Sequence, residues 1–224
     1  MNYKIYTCYH DDKLINEHNL INDDHHILYP THKPTHKIDI NYLHDHLSEI
    51  CAMYYVWKNN EYCDFIGFEH YRRRFNINNI PELKSDECYV RFYDEDMGRT
   101  VKEQYRETLC LYDWDIYIDI LNKLYGKDNI YVNYLNNSNA IIWDDIFIMS
   151  YENFDKLCTF IFSVFDEFNK ITKVNYNLYL YKKFYNNSNY LLRPHMYERL
   201  ISAYILSNFQ KDKFFTEVYY KTKK

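Results

Sequence analysis

Apolar and polar positions along this chain follow two different periods. Tyr3 to Tyr9 (YKIYTCY) is short, aromatic and partly alternating, which predicts a first strand ending at the polar His10-Asp11-Asp12. Residues 41–59 (NYLHDHLSEICAMYYVWKN) place Leu43, Leu47, Ile50, Tyr54 and Trp57 at the 3.6-residue spacing of a helix. Its opposite face carries Ala52, Met53 and Val56, so burial on both sides is expected, with Glu49 a poorly solvated carboxylate that needs a partner. Residues 64–70 (DFIGFEH) form a continuous apolar run with acids at its ends, the pattern of a central strand covered on both faces. Ala140 to Met149 (AIIWDDIFIM) predicts another strand, interrupted by Asp144 and Asp145. Ser150 suits the N-cap of a helix over 151–169, where Phe154, Leu157, Cys158, Ile161, Phe165 and Phe168 make the apolar stripe. Residues 101–125 predict one or two helices, and a last helix runs from near Pro194, in the first turn that proline tolerates, to about Phe209. Residues 11–38 read as a long loop, a kind of segment that often carries function, and residues 76–100 as a polar segment. Strands alternating with helices predict an α/β layer fold with a mostly parallel central sheet flanked by helices.

Composition narrows the picture. At 224 residues the chain can bury one sizeable core, so residues 1–224 are expected to form a single domain. The net charge is −5 and no long basic run occurs, which gives no electrostatic reason for a nucleic-acid partner. Tyrosine and asparagine are abundant; an AT-rich genome accounts for both, so single aromatic residues are weak evidence for sugar stacking. The six cysteines are widely spaced with no CxxC pair, and the N-terminal MNYKIYTCYH is polar. Free thiols in the cytoplasm are therefore expected. No apolar run reaches the ~18 residues that span a membrane, which leaves peripheral attachment as the membrane option. The three glycines, Gly67, Gly98 and Gly126, are far apart, so neither a P-loop nor a GxGxxG turn can form. If a nucleotide binds, side chains or a metal must hold its phosphates.

In open α/β sheets ligands sit beyond the carboxyl ends of strands. Three clusters are predicted there: Tyr9-His10, Glu69-His70-Tyr71-Arg72-Arg73, and Asp144-Asp145. Arginine presents a planar, permanently charged fork that matches phosphate oxygens, so Arg72, Arg73 and Arg74 after a buried strand suggest an anion site; a surface ion-pair cluster is the plainer alternative. His70 could bind a metal, donate to phosphate or sit satisfied in the core. Side chains alternate along a strand, so one of Asp144 and Asp145 should point inward as a base or metal ligand, unless the pair forms a strand-end ion pair. Glu198, after Arg193-Pro194-His195, is equally readable as an acid favoured by a helix dipole. The DxD-like triplets Asp94-Glu95-Asp96 and Asp113-Trp114-Asp115 lie in a polar loop and a predicted helix, and no metal is assigned to either.

These blocks resemble the DUF4422 family of polysaccharide-biosynthesis proteins, generally regarded as glycosyltransferases. LSEICAMYYVWKN (47–59) is similar to the family's CELTALYWxWKN, and DFIGFEHYRRRF (64–75) resembles DYIGLxHYRRYF. DDIFIMSYENFDKLCTFIFSVFDEF (144–168) and RPHMYERL (193–200) resemble the later blocks, in the same order. The resemblance implies a GT-A-like, Rossmann-related domain that takes a nucleotide sugar, a UDP-sugar first of all, and transfers the sugar to a glycan, lipid-linked or protein acceptor. With it, donor and diphosphate contacts are expected from Tyr9, His10, Glu49, Trp57, His70, Tyr71, Arg72 and Arg73, and a base from Glu198, which the resemblance favours, or Asp145. A divalent cation (Mn²⁺ or Mg²⁺) would draw on Glu69, His70 and Asp145. In such folds the strand entering the site usually ends in DxD; here Glu69-His70-Tyr71 stands there, and Asp145 replaces the family's Asn. A non-catalytic module that binds nucleotide sugar or glycan on the same fold is the rival expectation.

Overall fold

The computed structural model describes residues 2–92, 98–108, 112–142, 145–172, 192–210 and 213–218. Six strands form one sheet in the order β2-β1-β3-β5-β4-β6: β1 (Tyr3–Tyr9), β2 (His26–Pro30), β3 (Phe65–His70), β4 (Cys88–Phe92), β5 (Phe147–Ser150) and β6 (Phe214–Val218). β1 pairs parallel with β2 and β3, β4 pairs parallel with β6, and β5 runs antiparallel between β3 and β4. The sheet is thus mostly parallel, with one reversed strand. The helices are α1 (Lys13–Glu17), α2 (His44–Leu47), α3 (Ile50–Lys58), α4 (Val101–Thr108), α5 (Tyr112–Tyr125), α6 (Ile130–Asn137), α7 (Tyr151–Thr172) and α8 (Leu192–Asn208).

The alternation of strand side chains builds two cores. Tyr6, Cys8, Ile66, Phe68, Val90, Phe147 and Met149 face the larger core, with residues of α3, α5, α7 and α8. Tyr3, Ile5, Phe65, Tyr89 and Ile148 face the other side, where Phe75, Leu83, Ile77 and Ile80 cover them. Segment 75–83 therefore does on one face what helices do on the other. Gly67 sits at the centre of β3, where a Cβ would lie 2.8 Å from Ile148 Cγ1 and 3.2 Å from both Ile5 Cγ1 and the Phe147 carbonyl oxygen.

Four expectations change. The long loop 11–38 contains α1 and the edge strand β2, and the polar segment 76–100 contains β4. Neither strand alternates cleanly enough to show a period in sequence. The predicted helix 41–59 is broken into a 3₁₀ turn (Asn41–Leu43), α2 and α3, because Ser48 takes φ 48° and ψ −120°. The strand predicted from Ala140 begins only at Phe147, since Asp145 has φ 55° and cannot extend the ladder. The inward-pointing argument for the two aspartates consequently does not apply to Asp145, and Asp144 lies outside the described residues. Asn153 N–H donates to Ser150 Oγ at 3.4 Å, the contact expected of the predicted cap. No helix among the described residues is long and apolar enough to cross a membrane.

Candidate functional site

β1 lies between β2 and β3, so the chain crosses from one side of β1 to the other as it passes from β2 to β3. That topological switch opens a crevice beyond the strand ends. β3 delivers Glu69 and His70 there, and successive strand residues point to opposite faces. Glu69 turns toward the face covered by segment 75–83 and is buried. Its Oε1 accepts from Thr7 Oγ1 at 2.6 Å and its Oε2 from the Phe75 N–H at 2.8 Å. Burial, the largest effect, raises its pKa despite those two hydrogen bonds. Glu69 is therefore the peg of the turn that follows. Arg73 N–H donates to the His70 carbonyl at 2.8 Å and Tyr71 N–H to the Cys8 carbonyl at 3.1 Å, so the turn is tied at both ends.

His70 turns the other way. Its Nδ1 accepts from the Arg72 N–H at 3.2 Å, which leaves the proton on Nε2, 3.5 Å from Glu49 Oε1. Desolvation first, then Arg72 and Arg73, push its pKa down to about 3. The helix break at Ser48 places Glu49 at the N-terminus of α3, beside this imidazole.

The three arginines divide their roles. Arg74 Nη1 and Nη2 donate to the Asn19 and His18 carbonyls at 3.3 Å, capping the end of α1. Arg73 is half-buried. Arg72 is exposed, with its Cζ 5.2 Å from the centre of the Tyr71 ring. Tyr71 is the hub of a histidine collar: the rings of His70, His18 and His10 lie 4.0, 5.0 and 5.1 Å from its own. His44 of α2 stacks 6.0 Å from His10, and His32 lies 5.8 Å from Tyr9. The loops that carry the collar are clamped. Lys33 Nζ reaches both oxygens of Asp12 at 2.7 and 2.9 Å, Thr31 bonds the Tyr9 carbonyl, and buried Asn41 donates to the Pro30 and Lys33 carbonyls. Reading by sequence missed His18, His32 and His44. The signal was present: seven of the ten histidines fall between residues 10 and 44.

Tyr9, His10, Glu49, His70, Tyr71, Arg72 and Arg73 thus converge on one edge. Asp145 lies near this edge, since it acts on the same buried thiol, Cys8, as Glu49 and Glu69. Its carboxylate, with those of Glu49 and Glu69, adds to burial in pushing the Cys8 thiol up, so Cys8 is inert. Trp57 stands apart from them. It is eight residues, ~12 Å, along α3 from Glu49; its indole N–H donates to Asp155 at 2.7 Å and its ring stacks on Phe162. It lines a groove of about 630 Å³ with Tyr42, Tyr54 and Phe165, none of them a residue of the edge. Glu198 occupies the second turn of α8, since that helix begins at Leu192, so the first-turn dipole reading falls away. Arg199 Nη1 donates to Glu198 Oε2 at 2.9 Å, and Arg199 Nη2 reaches Gln104 Oε1 of α4 at 2.5 Å. α8 packs on α2, the helix of His44.

A divalent ion does not fit its three candidates. Glu69 and His70 project to opposite faces, and both Glu69 oxygens are committed. Among the described residues no group of three or more His, Cys, Asp or Glu side chains could hold a metal ion. Asp113 of the second DxD-like triplet accepts from Tyr105 OH at 3.0 Å inside the core, and Asp94–Asp96 lie outside the described residues.

This fold is similar to that of WbbM, described as a bifunctional glycosyltransferase and solved in its apo form. The TM-score is 0.71 at 20% identity, over 97% of this chain and 45% of that one. The chain spans less than half the length of that protein, and at this identity the likeness is one of fold. None of the curated proteins matches the chain. The fold is glycosyltransferase-like, in agreement with the sequence resemblance. The DUF4422 profile, described as a domain of unknown function, matches residues 4–209, and the chain belongs to the DUF4422 family.

Proposed function

We propose that this chain is a glycosyltransferase that holds a nucleoside-diphosphate sugar, a UDP-sugar, at the carboxyl edge of β1–β3. The observation that carries the reading is the pegged turn after β3, which presents Arg72 and Arg73 beside a collar of histidines. A chain with three scattered glycines has no glycine-rich phosphate loop, so preorganised side-chain cations supply that role. In transfer, the bond from the anomeric carbon to the diphosphate oxygen breaks, and its electron pair leaves with the nucleoside diphosphate. The acceptor hydroxyl oxygen bonds to that carbon and gives up its proton. Arg72 and Arg73 stabilise the charge that develops on the departing oxygen. Asp145, at the edge, and Glu198, on the helix packed against α2, are the carboxylates assigned to the acceptor proton. A glycan, glycolipid or protein hydroxyl serves as acceptor.

Calorimetric titration with UDP tests the reading. Arg72→Ala and Arg73→Ala should each weaken binding about tenfold or more, the loss of one charge-assisted contact. Equal affinity in wild type and both variants would sink it. A non-catalytic binding module is the second reading, and the Arg199–Glu198 contact favours it because that carboxylate is already engaged. Release of UDP from a panel of UDP-sugars with glycan acceptors separates the two.

A further inference from the structure

We propose that His10 and His44, grouped with His18 around Tyr71 and Arg72, contact the donor diphosphate as imidazolium ions, so that each binding event takes up protons from solution. The inference rests on the reading of this edge as a nucleoside-diphosphate site, and it adds the residues and the proton linkage of that site.

The geometry supplies the case. Three rings from three separate segments, the end of β1, the end of α1 and the start of α2, close on one hub: His10 and His18 lie edge-on to Tyr71, and His44 stacks on His10. Arg72 leans over the same tyrosine. Such a grouping of imidazoles with a guanidinium serves no purpose for an apolar core, because every added proton repels the others. The groups acting on His10 are Arg72, His32 and Asp11; those acting on His44 are His10, His32 and Asp45. Burial is the larger effect for both, and together these hold both rings below the usual histidine range. α8 also packs on α2 and carries the charged or titratable residues Arg193, His195, Glu198 and Arg199. Asp12 faces His32 at 3.7 Å and binds Lys33, so that carboxylate is already engaged. His70 is not part of the proton store, since its Nδ1 accepts the Arg72 N–H and its Nε2 faces Glu49.

A diphosphate placed against Arg72 reverses the sign of the local field. Burial and the neighbouring cations hold His10 and His44 below the usual range; the anion opposes both effects, and each of these two rings gains proton affinity. By linkage, affinity then rises as pH falls through the histidine range of the complex, by up to about tenfold per pH unit for each proton taken up.

The test is titration of the full chain with UDP at pH 7 in PIPES, HEPES and Tris, whose ionisation enthalpies differ, repeated at pH 6 and pH 8. Wild type is compared with the His10→Gln/His44→Gln double variant. UDP's own phosphate titrates alike in both, so the difference counts histidine protons. Expected are a buffer-dependent heat corresponding to uptake of about one proton, tighter binding at pH 6 than at pH 8, and loss of the excess uptake in the double variant. UDP binding with no buffer dependence and equal affinity at pH 6 and 8 overturns the inference and leaves the diphosphate site standing. Uptake that persists in the double variant also overturns it. Absence of UDP binding at every pH overturns both. Histidine ring proton shifts of the wild type, followed by NMR with and without UDP, give the same answer should the double variant not fold.

Discussion

Arg72, Arg73 and Arg74 are one repeated letter in the sequence and different devices in the fold. Arg74 closes α1, while Arg72 stands in solvent over Tyr71. His70 is likewise defined by its surroundings. Its folded pKa, about 3, lies below the 6.5 of an unperturbed histidine. A depressed histidine contributes stability above its unfolded pKa and loses it as pH falls toward the folded value. Stability should therefore decline between pH 6.5 and about 3. His70→Asn, which keeps an acceptor near the Nδ1 position, should flatten that part of the curve in denaturant melts. An unchanged slope would show that other groups control acid unfolding. Gly67→Ala should destabilise the chain by ~1–3 kcal/mol, because its Cβ has no space between Ile5 and Ile148. Thermal denaturation measures it.

At the scale of the element, the β3 turn is the unit that matters. Glu69 supplies acceptors to Thr7 and to the Phe75 N–H, so Glu69→Ala leaves a buried donor without its partner, a loss of ~1–3 kcal/mol. It should also weaken UDP binding, by loosening the turn under Arg72 and Arg73. Glu69→Gln can accept the Phe75 N–H and donate to Thr7, and it should restore both properties. Rescue of stability without rescue of binding would separate the turn from the ligand. The central strand was legible because six consecutive buried residues leave an unbroken apolar run. α7 was legible because its stripe repeats over 22 residues. The break between α2 and α3 was not legible: Ser48 is neither glycine nor asparagine, so its letter does not signal the positive φ it takes. The edge strand β2 was hidden because His26, Leu28 and Tyr29 mix polar and apolar positions without a period.

Across the whole molecule, α8 packs on α2, the helix of His44, and ties itself to α4 through the buried Arg199. Arg199 is 1% exposed and binds Gln104 and Glu198. Removing one member of a buried pair strands the other, so Arg199→Ala should cost ~3–5 kcal/mol by denaturant melts. Glu198→Gln preserves shape and should fold. If Glu198 takes the acceptor proton, this variant should lose turnover by at least about a hundredfold while keeping UDP affinity. Full turnover in Glu198→Gln would leave Asp145 as the base.

The sequence alone determined the α/β class, the central strand, the arginine turn at its end and the exclusion of a glycine phosphate loop, because each is written in adjacent residues. Only the tertiary structure decided which neighbours act together. It sent Glu69 and His70 to opposite faces, moved Trp57 to a separate groove, and drew His10, His18 and His44 from separate segments around Tyr71. Side-chain direction within a strand follows a local rule, but the company a side chain keeps depends on strand order and crossover, and those are settled by burial of the whole sheet.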